Sequence, residues 1–118
     1  MILVDTSVWI DHFAREIPRL VRLLLDGQVV THDFVEGELA SGALRRRSEI
    51  VRLLAQLPRA ATMEHAVVRA LLEAERLHGR GVGWIDLHLV ASSRSNRIRL
   101  WTHDKRLERV ARQLGVAA

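Results

Sequence analysis

Apolar residues fall along this chain in two rhythms. Short runs at Ile2-Leu3-Val4, Val29-Val30-Thr31 and Ile98 to Trp101 have the length of buried strands. Elsewhere apolar positions recur every three or four residues, the period of a helix with one face turned inward. The first run meets Asp5-Thr6-Ser7, residues that favour helix N-caps. A helix is predicted from there, through Val8-Trp9-Ile10 and Phe13 and on over Ile17, Leu20, Val21, Leu24 and Leu25, stopping at Asp26-Gly27. From Asp33 a second helix carries Phe34, Val35, Leu39 and Ala43, with Glu38 in its middle. Arg45-Arg46-Arg47 leads into a third, with Ile50, Val51, Leu53, Leu54 and Leu57 inward and Pro58 just beyond.

Ala60 to Met63 reads as a small strand, and Glu64 to His78 as a helix on Ala66, Val67, Ala70, Leu71 and Ala74. Gly79-Arg80-Gly81-Val82-Gly83 is the clearest loop. Trp84 to Ser95 is apolar around most of its circumference, which predicts a buried helix ended by Asn96. Asp104 to Leu114 is the last amphipathic helix, and Val116 begins a terminal strand. Short strands alternating with helices predict an α/β domain with a mainly parallel sheet. No repeat, linker or low-complexity stretch interrupts the pattern, so one domain over residues 1–118 is expected.

Composition narrows the classes. Aromatics are only 4% of the chain, so the core must rest on Leu, Val, Ile and Ala. Without cysteine there is neither a disulfide framework nor a thiolate metal site. No apolar run approaches the roughly 20 residues that cross a bilayer. The opening Met1-Ile2-Leu3-Val4 is too short for a signal peptide and meets Asp5 at once. A cytoplasmic protein with no membrane partner is expected. The net charge is +4, and Lys105 is the sole lysine, so the positive charge is almost all arginine. Guanidinium groups fork onto phosphate oxygens, and basic domains of this kind often bind nucleic acid. Charge alone supports ordinary solvated faces equally well.

The acidic residues are more pointed. Asp5 and Asp104 each follow a short strand and each begins a helix. In open parallel sheets ligands bind at the carboxyl ends of the strands, although either residue alone could serve as an N-cap. Asp86, in Trp84-Ile85-Asp86-Leu87, lies in a segment bound for the core and needs a partner there: an arginine, a backbone cap or a cation. Glu38 and Glu36 point to different sides of their helix, and spacing does not choose between them. Carboxylates converging on one point raise each other's pKa, and a hard divalent cation resolves that repulsion. All-oxygen donors favour Mg2+, with Mn2+ as a substitute, over zinc. With nucleic acid as substrate, such an ion activates water for phosphodiester hydrolysis.

Four stretches carry a resemblance. Leu3-Val4-Asp5-Thr6-Ser7-Val8-Trp9-Ile10-Asp11, Glu38-Leu39-Ala40-Ser41-Gly42, Gly83-Trp84-Ile85-Asp86-Leu87-His88-Leu89 and Trp101-Thr102-His103-Asp104-Lys105-Arg106-Leu107 are similar, in order and separation, to the motifs of PIN domains. They resemble those of VapC-type ribonuclease toxins from bacterial toxin–antitoxin pairs. The resemblance implies a three-layer α/β/α fold and a magnesium-dependent endoribonuclease site. It assigns the metal-binding and catalytic carboxylates to Asp5, Glu38, Asp86 and Asp104. Glu38 is chosen over Glu36 because it precedes Leu and lies shortly before Gly. Ser7 and Thr102 match positions that support the metal or its waters. RNA as substrate, a small antitoxin partner and a homodimer are implied as well. The apolar faces at Ile17 to Leu25 and Ile50 to Leu57 are candidate contacts for either protein partner, or ordinary core. Where the family often has Arg, this chain has His103.

Other residues weigh less. His12, His88 and His103 lie near the motifs and are expected to be surface or supporting residues. Trp9, Trp84 and Trp101 are expected to pack in the core. Arg45-Arg46-Arg47 suits either RNA phosphates or a solvated helix start. Two other functions compete. A haloacid-dehalogenase-like phosphohydrolase would use Asp5 as nucleophile, but Ser7 stands where that family has a second Asp, and Lys105 is the only lysine available. A catalytically silent nucleic-acid-binding module would keep only the basic surface.

Overall fold

β1 (Ile2–Val4) is the central strand of a three-stranded sheet, flanked by β2 (Val29–Val30) and β3 (Arg99–Trp101). The computed structural model describes every residue, Met1–Ala118. Both pairings are parallel: Ile2 faces Val29 and Arg99, Leu3 faces Val30 and Leu100, and Val4 faces Trp101. The helices are α1 (Thr6–Ala14), α2 (Pro18–Leu25), α3 (Asp33–Ser41), α4 (Arg47–Gln56), α5 (His65–Ala74), α6 (Trp84–Asn96) and α7 (Lys105–Gln113). Around the sheet they make the three-layer α/β/α architecture that the resemblance to PIN domains implied, with the parallel sheet that the alternation of runs predicted.

Parallel pairing with covered faces explains why the strands are continuous apolar runs. Leu3 and Val4 are wholly buried, as are Trp9, Leu20, Val35 and Leu54 from the helices around them. α6 packs against β3, α5 and α7, and its residues Leu87 to Ser93 are all buried. That is the buried helix its sequence predicted over its middle turns, while its ends, Trp84-Ile85 and Arg94 to Asn96, are exposed. Ser92 and Ser93 are tolerated there because each hydroxyl donates to a backbone carbonyl, of Ala61 and Leu89 respectively.

Several expectations need correction. The single helix predicted from the first motif to Leu25 is two, α1 and α2. Pro18 opens α2, where its missing N–H costs nothing, and it holds Ile17 in an extended conformation. The break is stitched by His12, whose Nδ1 accepts the Ile17 N–H at 3.0 Å. α3 ends at Ser41, short of Ala43, and its N-cap is His32, whose Nδ1 accepts from the Phe34 N–H. The strand expected at Ala60 to Met63 reduces to one parallel bridge between Thr31 and Arg59. α5 stops at Ala74, short of His78, and the terminal strand begun by Val116 is a single bridge from Ala117 to Leu100. No helix is long and apolar enough to cross a membrane.

Candidate functional site

Since β1 and β3 run parallel as neighbours, their carboxyl ends share one edge of the sheet. The Asp5 N–H donates to the Trp101 carbonyl at 2.9 Å, which brings the first motif against the last. Asp5 stands at the N-cap position of α1 yet makes no side-chain cap bond. Its Oδ2 instead accepts from the hydroxyls of Ser7 and Thr102, both at 2.7 Å. Those two hydroxyls are 3.3 Å apart, and Asp5 is only 5% exposed. A buried carboxylate is thus held by two hydroxyls on one oxygen, with no cationic side chain bonded to it.

The other acids are each tethered by their own element. Glu38, on α3, accepts from the Thr6 hydroxyl at 3.0 Å, which links it to the residue beside Asp5. Asp86, in the first turn of α6, accepts from the Gly83 N–H at 3.1 Å and so caps its own helix. Asp104 caps α7, its Oδ1 accepting from the N–H groups of Arg106 and Leu107. The Asp104 N–H in turn donates to the Thr102 hydroxyl at 3.0 Å. The capping roles open to Asp86 and Asp104 are therefore real. The one open to Asp5 is not.

Electrostatics join the four acids. Burial pushes the Asp86 carboxyl above its usual range; the Gly83 bond offsets this in part, and the charges of Asp5 and Asp104 push it further. Glu38 is also raised, first by desolvation and then by Asp5 and Asp86, against the lowering effect of Thr6. Ionising Asp86 and Glu38 in this neighbourhood therefore has a cost that the Gly83 and Thr6 bonds offset only in part. In this conformation no three of the acidic or imidazole side chains close to the spacing that would hold a metal ion. Each carboxylate rests on its own local donor. The donor set fits a hard divalent cation: it is all oxygen, it carries uncompensated negative charge, and only one Asp5 oxygen is used by the hydroxyls.

Two supporting residues, Thr6 and Asp11, escaped sequence reasoning. Thr6 was seen only as a cap residue, although its position beside Asp5 placed its hydroxyl within reach of any acid facing the same edge. Asp11, on α1, contacts the His103 Nδ1 at 2.5 Å, and the His103 N–H donates to Ser7. His103 is thereby fixed at the rim by both motifs. His88 is a correction: it is 5% exposed, packed edge-on against Phe34 and Trp84, and its pKa is lowered by burial and then by His65. Trp84 is a second, being 37% exposed where Trp9 and Trp101 are buried. In the arginine run, Arg47 donates to the Ala40 carbonyl, while Arg45 and Arg46 border an open groove.

Residues 2–113 match the PIN domain. Ribonuclease VapC32 of Mycobacterium tuberculosis, from two strains, is 43% identical to this chain over 118 residues, spanning 99% of the chain and 95% of that protein.

Proposed function

The chain belongs to the PIN-domain family, among its VapC-type ribonucleases, and on that premise we propose that it is a magnesium-dependent endoribonuclease acting as the toxin of a toxin–antitoxin pair. The observation that carries this reading is the sheet edge where Thr102 bonds both Asp5 and Asp104, and where Asp86 and Glu38 are raised by burial and by acids of the same edge. Those four residues would hold the metal, with Mn2+ as a substitute. When bound, the ion would supply an activated, oriented water and charge stabilisation at the phosphodiester. Ser7 and Thr102 keep the Asp5 carboxylate turned in one direction, and Thr6 does the same for Glu38. Orientation of this kind, from residues behind the ligands, typically changes metal affinity or activity by 10- to 100-fold. Family membership leaves no support for the aspartyl-nucleophile alternative.

The antitoxin has a seat in the groove between α1 and α4, about 1070 Å³, lined by Ile10, Phe13, Leu44, Ile50 and Leu53 and edged by Arg45 and Arg46. Ile10 is 48% exposed and Leu53 36%. An apolar floor with a rim of mixed charge, Arg45 and Arg46 beside Glu16 and Glu49, suits an amphipathic segment bearing both acidic and basic side chains. A homodimer is the assembly this reading expects.

The test is cleavage of RNA by the purified protein with Mg2+, with EDTA, and with Asp5→Asn. Cleavage only by the wild type with the metal is the expected result. Cleavage that survives EDTA or the substitution overturns the metal-dependent mechanism, and no cleavage under any condition favours the silent binding module.

A further inference from the structure

We propose that Arg106 is a phosphate-binding residue of this site, held ready for the RNA backbone by a cradle that Gly81 provides. Gly81 has φ +79°, in the left-handed region that glycine tolerates best. A Cβ built on it would lie 2.5 Å from Cδ and 2.7 Å from Nη1 of Arg106. The arginine side chain therefore lies across the space where any other residue at position 81 would place its side chain.

Both ends of this contact belong to the site. Arg106 is in the first turn of α7, and its N–H donates to Asp104. Gly81 is two residues before Gly83, whose N–H holds Asp86. Arg106 thus reaches from the helix that Asp104 caps to the loop that leads into Asp86. A guanidinium on the helical turn that an acid caps could fork onto a carboxylate. It does not: the cationic side chains that pair with acids are Arg59, Arg69, Arg94, Arg112 and His103, and Arg106 is not among them. Lying on Gly81, it leaves the acids free for a metal and keeps its own N–H donors unspent. The ligand that matches a permanent cation with free forked donors, on a side chain between the elements that carry Asp86 and Asp104, is an anionic oxygen pair, here the phosphate of an RNA strand.

This inference rests on the ribonuclease reading for the identity of the strand, so its test measures binding, separately from cleavage. A labelled single-stranded RNA oligonucleotide is titrated in EDTA at several salt concentrations, with fluorescence anisotropy as the readout. Arg106→Gln is expected to weaken binding about three- to tenfold and to flatten the dependence of log K on log salt by about 0.7, the value for one phosphate contact on a single strand. Arg106→Lys restores the salt slope, which a purely structural role would not. Gly81→Ala fills the cradle and weakens binding in the same direction, and the double variant Gly81→Ala with Arg106→Gln binds no worse than Arg106→Gln alone. Wild-type affinity and slope in Arg106→Gln, or no RNA binding by the wild type, overturns the proposal. Loss of cleavage in Asp5→Asn judges the nuclease reading independently of that outcome.

Discussion

Thr102 donates its hydroxyl to Oδ2 of Asp5 at 2.7 Å while accepting the Asp104 N–H at 3.0 Å. One side chain at the end of β3 thus serves two of the four acids, and it is itself only 4% exposed. Thr102→Val keeps the shape and removes both bonds. Leaving the buried Asp5 short of one donor costs about 1–3 kcal/mol, so a fall in melting temperature is expected. Cleavage with Mg2+ should drop about 10- to 100-fold. Thr102→Ser restores the hydroxyl and should recover most of both losses. A Thr102→Val protein with wild-type turnover would show that the Asp5 orientation does not matter to the reaction.

Glu38 and Glu36 lie on the same helix but answer to different partners. Glu36 pairs with Arg59, which also holds Asp33, whereas Glu38 accepts from Thr6 and senses Asp5 and Asp86. Glu38→Gln is expected to lower RNA cleavage by about two orders of magnitude or more, as loss of a metal ligand should. Glu36→Gln breaks one partly exposed ion pair, worth about 1 kcal/mol or less, and should leave cleavage within twofold. Parallel cleavage assays on the two variants check the assignment, and equal losses would refute it.

The choice between those glutamates marks how far the sequence could be read. The strands, the buried α6 and the glycine loop were legible because burial on both faces and an unbroken apolar circumference leave a periodic trace. Asp5 and Asp104 were legible as a pair because each ends a short strand. Glu38 was not, since a glutamate on a helix carries no mark of what it faces; the resemblance to PIN motifs selected it. The helix break at Pro18 was hidden because Ile17 and Leu20 continue the helical spacing across it. Contacts such as Asp11 with His103, or Arg106 with Gly81, join residues far apart in the chain and have no local signature at all.

Toxicity gives a cellular prediction. Expression of the chain without an antitoxin is expected to arrest bacterial growth, and Asp5→Ala should relieve the arrest at equal protein levels. Colony counts after induction, with the protein quantified by blotting, check both arms. Normal growth with abundant folded wild type would remove the toxin assignment while leaving the nuclease chemistry to the cleavage assay.

The raised pKa values of Asp86 and Glu38 turn the metal question into a stability measurement. Both carboxyls titrate higher in the folded chain than in the unfolded one, where they lie near 4. Protonation therefore favours the fold: this contribution is complete below about pH 4 and is lost as the pH rises through the raised values. Once the pH exceeds the raised values, and without metal, the wild type carries that penalty in full. Asp86→Asn keeps an oxygen for the Gly83 N–H and removes the charge, so its metal-free melting temperature at pH 7 should equal or exceed that of the wild type, with a flatter dependence on pH. Glu38→Gln should act in the same direction but less, because Glu38 is open to solvent that screens it. If Mg2+ occupies the ionised site as proposed, it should raise the wild-type melting temperature, by an amount that grows with the logarithm of metal concentration above Kd. Asp86→Asn should lose most of that response. Differential scanning fluorimetry from pH 5 to 8, with and without Mg2+, reads all of these. A metal-free Asp86→Asn protein melting well below the wild type would mean that Asp86 serves the fold as a helix cap and that its charge was never a burden.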